Sequence, residues 1–441
     1  MLRARQAVPT LAKDNALRKE IDVMLVYVLN QYGKPLMPCA PRKARLLLKA
    51  GKAQVVRRTP FTIQLLYGSS GYQQAVSLGV DAGTMYIGLS ATTEKKVLFE
   101  AEVMLRTDIQ ELLSTRREFR RARRHRKTRY RKPRFLNRQK PERWLAPSVQ
   151  NKVDTHAKVI QRVLSILPIT NITVEVAQFD IQKIKNPDIA GTEYQQGEQM
   201  GFWNVREYVL FRDKHTCQHC KGKSGDKILN VHHIESRKTG GDAPGNLITL
   251  CDACHVKIHR EGLTHLFQRQ QKSFRDASQM TVMRWFIYRG IQKVFPHAEV
   301  TYGYITKNTR IQNGLEKSHL VDARCISGNP TATSLAGTYL IKQVRGQNRQ
   351  LHKATILKGG VRKANKSPSF VFGFQLFDKV RYNGQECFVF GRRLRGAFDL
   401  RLLDGTKITS GASHNKLTLL ERASTLLIQL EKGGKAASSP A

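Results

Sequence analysis

The stretch LCDACHVKIH, residues 250–259, concentrates four side chains of metal-binding type: Cys251, Cys254, His255 and His259. The two histidines are spaced i to i+4, which places them on one face of a helix. The stretch therefore predicts a helix that carries two metal-binding side chains on the same face, directly after a cysteine pair.

A second cysteine pair lies upstream in TCQHC, at Cys217 and Cys220. Two C-x-x-C pairs about thirty residues apart can supply four thiolates to one tetrahedral zinc ion. In an intracellular chain this spacing indicates metal binding and not disulfides. Of the seven cysteines, Cys39, Cys325 and Cys387 are left over, and we expect them to be inert core residues.

Between the two cysteine pairs lies LNVHHIESRKTGGDAPGNL, with His232 and His233 adjacent on an expected strand. Neighbouring strand residues point to opposite faces. One of these histidines can therefore join His255 and His259 on a second metal ion while the other faces a substrate. The pattern predicts two metals, a structural zinc and a catalytic divalent ion.

The order C-x-x-C, His-His, Asn, C-x-x-C-H-x-x-x-H resembles the ββα-metal module of HNH nucleases. The resemblance implies that His233 is the general base that activates water and that His232 is a metal ligand. Asn246 would fix the hairpin or touch the metal, and His255 and His259 would complete the site. Many members carry Asp before the base, where this chain has His232. A purely structural zinc ribbon is the alternative.

Four further residues have the types and positions of a second nuclease centre. Asp81 ends an expected strand, Glu175 lies inside an apolar strand, and His319 and Asp322 are spaced i to i+3 on an expected helix. A buried carboxylate needs a partner or a metal. Together they resemble the split RuvC nuclease, an RNase H-like fold. There the three carboxylates would clamp two metal ions about 4 Å apart on the scissile phosphate, and His319 would assist proton transfer.

The chain is strongly basic, with 75 Lys and Arg against 34 Asp and Glu and a formal net charge of +41 over 441 residues. This excess indicates a polyanionic partner. Twelve of the nineteen residues at 116–134 are Lys or Arg. No apolar run is long enough for a membrane span, and the first 22 residues do not form a secretory signal peptide.

The layout of RuvC fragment, arginine-rich helix, RuvC fragment, HNH and RuvC fragment, with PLMP at Pro35–Pro38, resembles IscB. IscB proteins are the transposon-encoded RNA-guided nucleases ancestral to the CRISPR HNH/RuvC effectors. The resemblance covers about residues 24–330. It implies an arginine-rich bridge helix that binds nucleic acid through Arg116, Arg117, Arg120, Arg121, Arg123, Arg124, Arg126 and Arg129.

The resemblance also implies the activity and the partners. A monomeric ribonucleoprotein with a guide RNA would cut double-stranded DNA next to a short adjacent motif. The HNH site would cut the guide-paired strand and the RuvC site the displaced strand. Magnesium would serve both catalytic sites, beside the structural zinc. The protein would be prokaryotic and cytoplasmic, associated with the nucleoid when on DNA and not with a membrane.

The expected fold is α/β: an RNase H-like RuvC core split in three, an inserted ββα-metal HNH domain, an arginine-rich bridge helix and a small β-rich C-terminal domain. Periodicity predicts a helix over residues 151–167, a strand in AEVTYGYI and a small β-barrel over residues 371–420. The expected domains are 1–23 (unassigned extension), 24–72 (PLMP), 73–105 (RuvC-I), 106–150 (bridge helix and linker), 151–200 (RuvC-II), 201–265 (HNH with zinc knuckles), 266–330 (RuvC-III) and 331–441 (basic C-terminal domain, contacting guide RNA or adjacent motif).

Two alternative functions are consistent with parts of the sequence. A guide-independent HNH/RuvC-like DNA endonuclease or resolvase would use one nuclease module and a dimer, whereas this chain carries two different modules. A non-enzymatic zinc-ribbon RNA-binding protein explains the charge and the cysteines. It leaves Asp81, Glu175, His319 and Asp322 without a role.

Overall fold

A computed structural model describes residues 25–69, 71–124, 144–176, 204–236, 241–268, 275–346, 352–358 and 361–432. The expected extension at residues 1–23 lies outside them. The chain forms two compact units, of which the smaller is Gln178–Thr281 and the larger comprises Met1–Ala177 and Val282–Ala441. Within the described part of the chain, no helix has the length and apolar character needed to cross a membrane.

The first part of the larger unit is a four-stranded sheet with one helix. Its strand order is β2-β1-β4-β3, and β1 and β4 run parallel. The helix begins at a proline, whose missing N–H costs nothing at a helix start. The sheet contains the strand Pro35–Cys39, in which PLMP lies and which was not predicted from the sequence. The elements are β1 (Val26–Leu29), β2 (Pro35–Cys39), α1 (Pro41–Lys49), β3 (Ala53–Arg57) and β4 (Thr62–Leu65).

The second part of the larger unit supplies four strands of a central sheet and two helices. The expected strand of Asp81 is present, and so is the predicted helix over residues 151–167, which begins four residues earlier. The elements are β5 (Ser77–Ala82), β6 (Tyr86–Thr92), β7 (Val97–Met104), α2 (Ile109–Arg124), α3 (Pro147–Leu164) and β8 (Asn171–Glu175).

The smaller unit has a helix, an antiparallel hairpin and a second helix. The hairpin joins β9 to β10, with His233 opposite Leu247 and Leu229 opposite Cys251. A left-handed Gly262 ends the second helix, which is the usual glycine cap. The elements are α4 (Val205–Arg212), β9 (Leu229–His233), β10 (Leu247–Cys251) and α5 (Asp252–Glu261).

The remaining chain returns to the larger unit. AEVTYGYI is a strand only as far as Thr301, and a helix begins at Gly303. The expected barrel region is an antiparallel sheet of order β18-β17-β16-β15-β19, and no ladder joins its outer strands in the part that the structure describes. The elements are α6 (Arg275–Gln292), β11 (Glu299–Thr301), α7 (Gly303–Gln312), α8 (His319–Ile326), β12 (Gly337–Gln343), β13 (His352–Ile356), β14 (Arg362–Ala364), β15 (Lys379–Tyr382), β16 (Gln385–Arg392), β17 (Ala397–Arg401), β18 (Lys407–Ser413), β19 (Thr418–Glu421) and β20 (Leu426–Lys432).

The central sheet has seven strands in the order β11-β8-β5-β6-β7-β12-β20. β8 runs parallel to β5 and Val174 lies beside Val80. The next residues, Glu175 and Asp81, therefore lie at the carboxyl ends of neighbouring strands. The side chains of Leu78, Val80 and Leu89 are fully buried, which makes the middle strands the core. The fold is therefore mixed α/β, with a sheet that brings residues distant in sequence to one edge.

Helix α8 lies directly on β5 and β6 because two strand glycines make room for it. A Cβ on Gly79 would lie 1.9 Å from the carbonyl oxygen of Ala323, and one on Gly88 would lie 2.0 Å from that of His319. Glycine within a strand often marks such a close backbone approach. The position of His319 over the sheet therefore depends on the absence of a side chain at Gly88.

Candidate metal and acid–base sites

The four cysteines of the two C-x-x-C pairs converge in the smaller unit. One ligand atom from each lies within 4.8 Å of every other. Three of the four are buried, and the group packs with Ile248, Leu250 and Ile258 in a small core. Four converging thiols are the donor set of a structural zinc site. The residues are Cys217, Cys220, Cys251 and Cys254.

Ser224 supports this cysteine group, and the sequence analysis did not single it out. Its hydroxyl oxygen lies 3.4 Å from the Cys220 sulfur and 3.1 Å from the Cys251 sulfur. Hydrogen bonding to Ser224 lowers the pKa of Cys220 to about 5. The thiolate is the form that binds metal, so the polar contact prepares this cysteine as a ligand.

Three histidines form a second tight group in the same unit. His232 comes from β9, and His255 and His259 come from consecutive turns of α5. Their ligand atoms lie within 4.8 Å of one another, and the Nε2 atoms of His255 and His259 are 3.2 Å apart. The Nε2 atom of His232 is buried and has no hydrogen-bond partner among the described residues. A buried ring nitrogen without a hydrogen-bond partner needs an explanation, and its closeness to two other ring nitrogens indicates a metal-binding site.

Two histidines of this group, His232 and His255, have lowered pKa values, which favours the neutral form that binds metal. Burial, followed by the charges of His259, His255 and His233, lowers the pKa of His232 to about 4. Burial also lowers the pKa of His255. In the described part of the chain, no carboxylate joins the group. Three imidazoles fit ions such as Zn²⁺ or Ni²⁺, whereas Mg²⁺ prefers oxygen ligands. The group therefore fits a divalent metal but does not fit the expected magnesium.

His233 points away from this group, as alternation along β9 predicts. Its Nε2 atom lies 2.9 Å from Oδ1 of Asp242, a residue of the loop before β10. If the ring donates from Nε2 to this carboxylate, Nδ1 carries the free lone pair that can accept a proton. Asp242 was not among the candidate residues. The acidic residue in TGGDAPG, nine positions after the histidine, is the signal that sequence analysis could have used.

Asn246 is fully buried and hydrogen-bonded to the loop backbone. Its Oδ1 accepts from the amide of Glu235 at 2.9 Å, and its Nδ2 donates to the carbonyls of Glu235 and Gly241 at 3.0 and 2.9 Å. These bonds close the loop that carries Asp242. Asn246 was expected either to fix the hairpin or to touch the metal, and these contacts favour the first role.

The second candidate centre lies at the carboxyl ends of β5 and β8 in the central sheet. Asp81 is on β5, and its Oδ2 lies 2.7 Å from Nδ1 of His319 on α8. The hydrogen bond and charge of Asp81 raise the pKa of His319, and Glu102 and Asp322 act in the same direction. A contact between residues 238 positions apart therefore joins two of the four predicted residues.

Glu175 ends the neighbouring strand β8. Its Oε2 accepts a hydrogen bond from the Thr306 hydroxyl at 2.6 Å. Burial raises the pKa of Glu175 to about 7, and the charges of Asp81 and Asp322 act in the same direction. The charges of these carboxylates therefore interact. Their oxygens do not form a group as tight as the cysteines or the histidines in the described part of the chain.

Asp322 faces Arg310 of α7, with Oδ1 and Nε 3.0 Å apart but not aligned as a hydrogen bond. Burial and the charge of Asp81 raise its pKa, and Arg310 opposes the shift. The four predicted residues thus lie near one another, each with a local polar contact. The three carboxylates are a donor set that suits Mg²⁺.

Glu102 is a fourth acidic residue at this centre that the sequence analysis missed. Gly88 of β6 lies opposite Asp81 of β5 on one side and opposite Glu102 of β7 on the other. Glu102 is therefore one strand further along the sheet at the same level as Asp81. Only 7% of it is exposed, and burial raises its pKa. Its alternation with Phe99, Ala101 and Val103 along β7 could have placed it on the polar face of the strand.

The arginine-rich helix α2 presents its first arginines to solvent. Arg116, Arg117, Arg120 and Arg121 are exposed, and Phe119 packs under the guanidinium of Arg362 at 3.3 Å from the ring centroid. The side chains of Arg123 and Arg124, and the whole of Arg126 and Arg129, lie outside the described residues. The described arginines form an exposed cationic face.

Two family models match this chain. Residues 217–261 match the HNH endonuclease family, and this segment contains the cysteine and histidine groups. Residues 26–197 match the RRXRR protein family, and RRARR at residues 120–124 has that pattern. Together, the two matches fit an HNH nuclease of the IscB and Cas9 kind.

Solved structures with partial likeness to this chain include Streptococcus thermophilus Cas9 in complex with the GGAA PAM, at 15% identity and a TM-score of 0.30. The alignment covers 47% of this chain and 30% of that one. The Type II-C Cas9 of Actinomyces naeslundii is 11% identical, with coverages of 58% and 60% and a TM-score of 0.19. The chain thus spans about a third of the length of the first of these proteins. These TM-scores are too low to establish a shared overall fold. No curated protein matches the chain.

Proposed function

We propose that this protein is an RNA-guided DNA endonuclease of the IscB type, with two nuclease centres that cut opposite strands of a duplex. The observation that carries the proposal is that one chain holds two chemically different centres on separate compact units, each with its own histidine. A nuclease that acts on one strand needs only one of them. The proposal also adopts the domain boundaries that were predicted from the sequence.

The histidine centre of the smaller unit cuts the guide-paired strand in this proposal. His233 accepts a proton from water at Nδ1, and Asp242 holds the tautomer and stabilises the imidazolium that forms. A metal ion on His232, His255 and His259 would stabilise charge on the phosphate and the leaving oxygen. Asn246 keeps the loop of Asp242 in place. The cysteine group would hold zinc and stabilise the hairpin on which this arrangement depends.

The carboxylate centre of the larger unit cuts the displaced strand. Asp81, Glu175 and Asp322 would hold Mg²⁺, which would position the phosphate and neutralise the developing charge. His319 is poised beside Asp81 and moves the proton during attack or departure. Burial of Glu175 favours its neutral form until a cation is bound.

The guide RNA supplies sequence recognition, and the protein contacts backbone. The exposed arginines of α2 would bind phosphates, and the net charge of +41 favours a large polyanionic partner. In RNA-guided nucleases, base pairing reads the target and the protein reads shape and a short adjacent motif. Sequencing RNA that co-purifies with the protein tests this part. A guide-independent endonuclease would show no single enriched RNA species.

The two-centre mechanism is tested with a duplex labelled on each strand, a matching guide and divalent metal. His233→Ala should cut only the displaced strand, and Asp81→Ala only the guide-paired strand. Loss of a general base costs about two to four orders of magnitude. His265→Ala and Glu94→Ala, exposed positions in the same two units, serve as matched controls. If either active-site variant loses both cuts alike while folded, the proposal of two independent centres fails.

A further inference from the structure

The two candidate centres offer different donor atoms. The histidine centre presents three ring nitrogens, and in the described part of the chain no carboxylate lies in the group. The carboxylate centre offers the oxygens of Asp81, Glu175 and Asp322. Mg²⁺ requires near-octahedral oxygen coordination and keeps much of its water, whereas imidazole suits Zn²⁺, Ni²⁺ and Cu²⁺. Three histidines with an open fourth position are a known donor set of catalytic zinc.

We infer, resting on the proposed function, that the two centres require different metals. The histidine centre takes a transition-series ion of the Zn²⁺ type, and the carboxylate centre takes Mg²⁺. His232 is the residue that decides this difference, because a carboxylate there would add the oxygen ligand that Mg²⁺ needs. The consequence is that the two strands are cut under separable metal conditions.

Metal binding can be measured without cleavage. The cysteine group is first loaded with Zn²⁺, and the protein is then titrated with Co²⁺ while visible absorption is recorded. We expect one further Co²⁺ per chain, without thiolate charge-transfer bands and unaffected by millimolar Mg²⁺. His255→Ala should lose this signal, and His265→Ala should keep it. Absence of the signal, or its displacement by Mg²⁺, would overturn the assignment.

Cleavage separates this inference from the proposed function. With the cysteine group loaded with Zn²⁺ and other metal removed, Mg²⁺ alone should restore cutting of the displaced strand only, and micromolar Zn²⁺, Co²⁺ or Ni²⁺ should add the guide-paired strand. His232→Asp should allow Mg²⁺ to support both cuts. Efficient cutting of both strands by wild-type protein in Mg²⁺ alone would refute the metal assignment and leave the proposed function intact. No cutting with any metal would refute the proposed function.

A second, independent observation lies beside the carboxylate centre. Tyr302 and Tyr304 are 40% and 66% exposed at the start of α7. Their rings are parallel within 11°, with centroids 6.2 Å apart. Between them, Gly303 backs onto Glu175, and a Cβ there would lie 3.0 Å from Oε1 of that carboxylate. Two exposed aromatic faces therefore border a candidate metal ligand.

The surroundings of these tyrosines match a nucleic-acid strand. Ile305 is also exposed, at 42%, which extends the apolar surface. Lys317, in the segment between α7 and α8, is exposed and adds positive charge to this region. Aromatic faces beside cations form the usual platform for single-stranded nucleic acid, where bases stack and phosphates meet positive charge.

We propose that Tyr302 and Tyr304 form a base-stacking subsite for a nucleotide of the strand that enters the carboxylate centre. This proposal also rests on the proposed function. Loss of one stacked base weakens binding by about tenfold. The residues position the strand and take no part in proton transfer, so their loss should raise KM and leave kcat largely unchanged.

Tyr304→Ala and Tyr304→Phe test the subsite in the complete ribonucleoprotein. Displaced-strand cutting should show a KM raised about tenfold in the alanine variant and restored in the phenylalanine variant, with guide-paired cutting unaffected. A 2-aminopurine placed in the displaced strand should lose its quenching in Tyr304→Ala. Tyr32→Ala, at a position 79% exposed in the turn between β1 and β2, is the control. Unchanged KM and quenching would overturn the subsite while Asp81-dependent cutting still upholds the nuclease.

Discussion

Substituting Gly88 by Ala should disturb the geometry of the carboxylate centre much more than it lowers the stability of the central sheet. The new Cβ would lie 2.0 Å from the carbonyl oxygen of His319 and 2.7 Å from its carbonyl carbon. Because both atoms are helix backbone, they cannot rotate away, and α8 must move by more than an ångström. The 2.7 Å contact between His319 and Asp81 cannot survive that movement unchanged.

The expected magnitudes follow from this displacement. Overpacking of this kind costs about 1 to 3 kcal/mol of unfolding free energy. A misplacement of about 1 Å at a catalytic group can cost about a hundredfold in rate. We therefore expect Gly88→Ala to stay folded while displaced-strand cutting falls by about two orders of magnitude. Guide-paired cutting should persist, because the histidine centre belongs to the other unit.

Two further glycines provide comparisons for Gly88→Ala. Gly79→Ala creates a similar clash, 1.9 Å from the Ala323 carbonyl oxygen. Because Ala323 follows Asp322, this variant should lower stability as much and should also reduce displaced-strand cutting. Gly411→Ala, on an outer strand with nothing within 4 Å, should change neither. Denaturant unfolding and strand-resolved cleavage measure the two effects. If Gly88→Ala cuts the displaced strand at the normal rate, His319 has no catalytic role that depends on its present position.

Three other substitutions address zinc, charge and pH. Cys217→Ser should release about one zinc per chain and unfold the smaller unit, measured by metal analysis and thermal melting; retained zinc with an unchanged melting curve would contradict this. Glu175 in the folded protein has a pKa of about 7, which is above its unfolded value. Its carboxyl therefore contributes its full stability below the unfolded pKa and loses that contribution as the pH rises through 7. Glu175→Gln should thus raise the unfolding free energy of metal-free protein above pH 7 by about 3 kcal/mol at most. Denaturant midpoints at pH 4 and pH 8 measure it, and an equal effect at both would refute the burial argument. Replacing the four exposed α2 arginines with Gln should reduce the log–log salt slope of RNA binding by about 0.7 to 0.9 for each phosphate that the protein no longer neutralises; an unchanged slope would exclude an interaction between these arginines and the RNA backbone. The arginines are Arg116, Arg117, Arg120 and Arg121.

The cysteine and histidine groups could be predicted from sequence because their spacing is short and local. A C-x-x-C pair brings two thiols together in one turn, and an i to i+4 pair lies on one helix face. The hairpin then needs only one register to bring His232 to His255 and His259. Asp242 and Ser224 were missed because a single Asp or Ser in a polar loop has many possible roles, and only the folded loop places it against a ring or a sulfur.

The carboxylate centre depends on contacts that span most of the chain. Asp81 and His319 could be proposed only through resemblance to a known family, because no local pattern joins residues 238 positions apart. Glu102 and Thr306 became visible only in the structure, where neighbouring strands and α7 bring them to the same edge. The strand at Pro35–Cys39 was missed because it contains two prolines. Proline cannot donate a backbone hydrogen bond to a neighbouring strand, so its presence argues against a strand.

The sequence by itself determined the chemistry available to this protein: four thiols, clustered imidazoles, strand-end carboxylates and a large positive charge. Those properties are carried by residue type and short spacing, which survive in any fold that keeps the local helix or hairpin. Only the tertiary structure decided which donors meet, since the sheet order aligns Glu175 with Asp81 and the glycines admit α8. The same packing buries Glu175 and His232, and their altered pKa values follow from that desolvation.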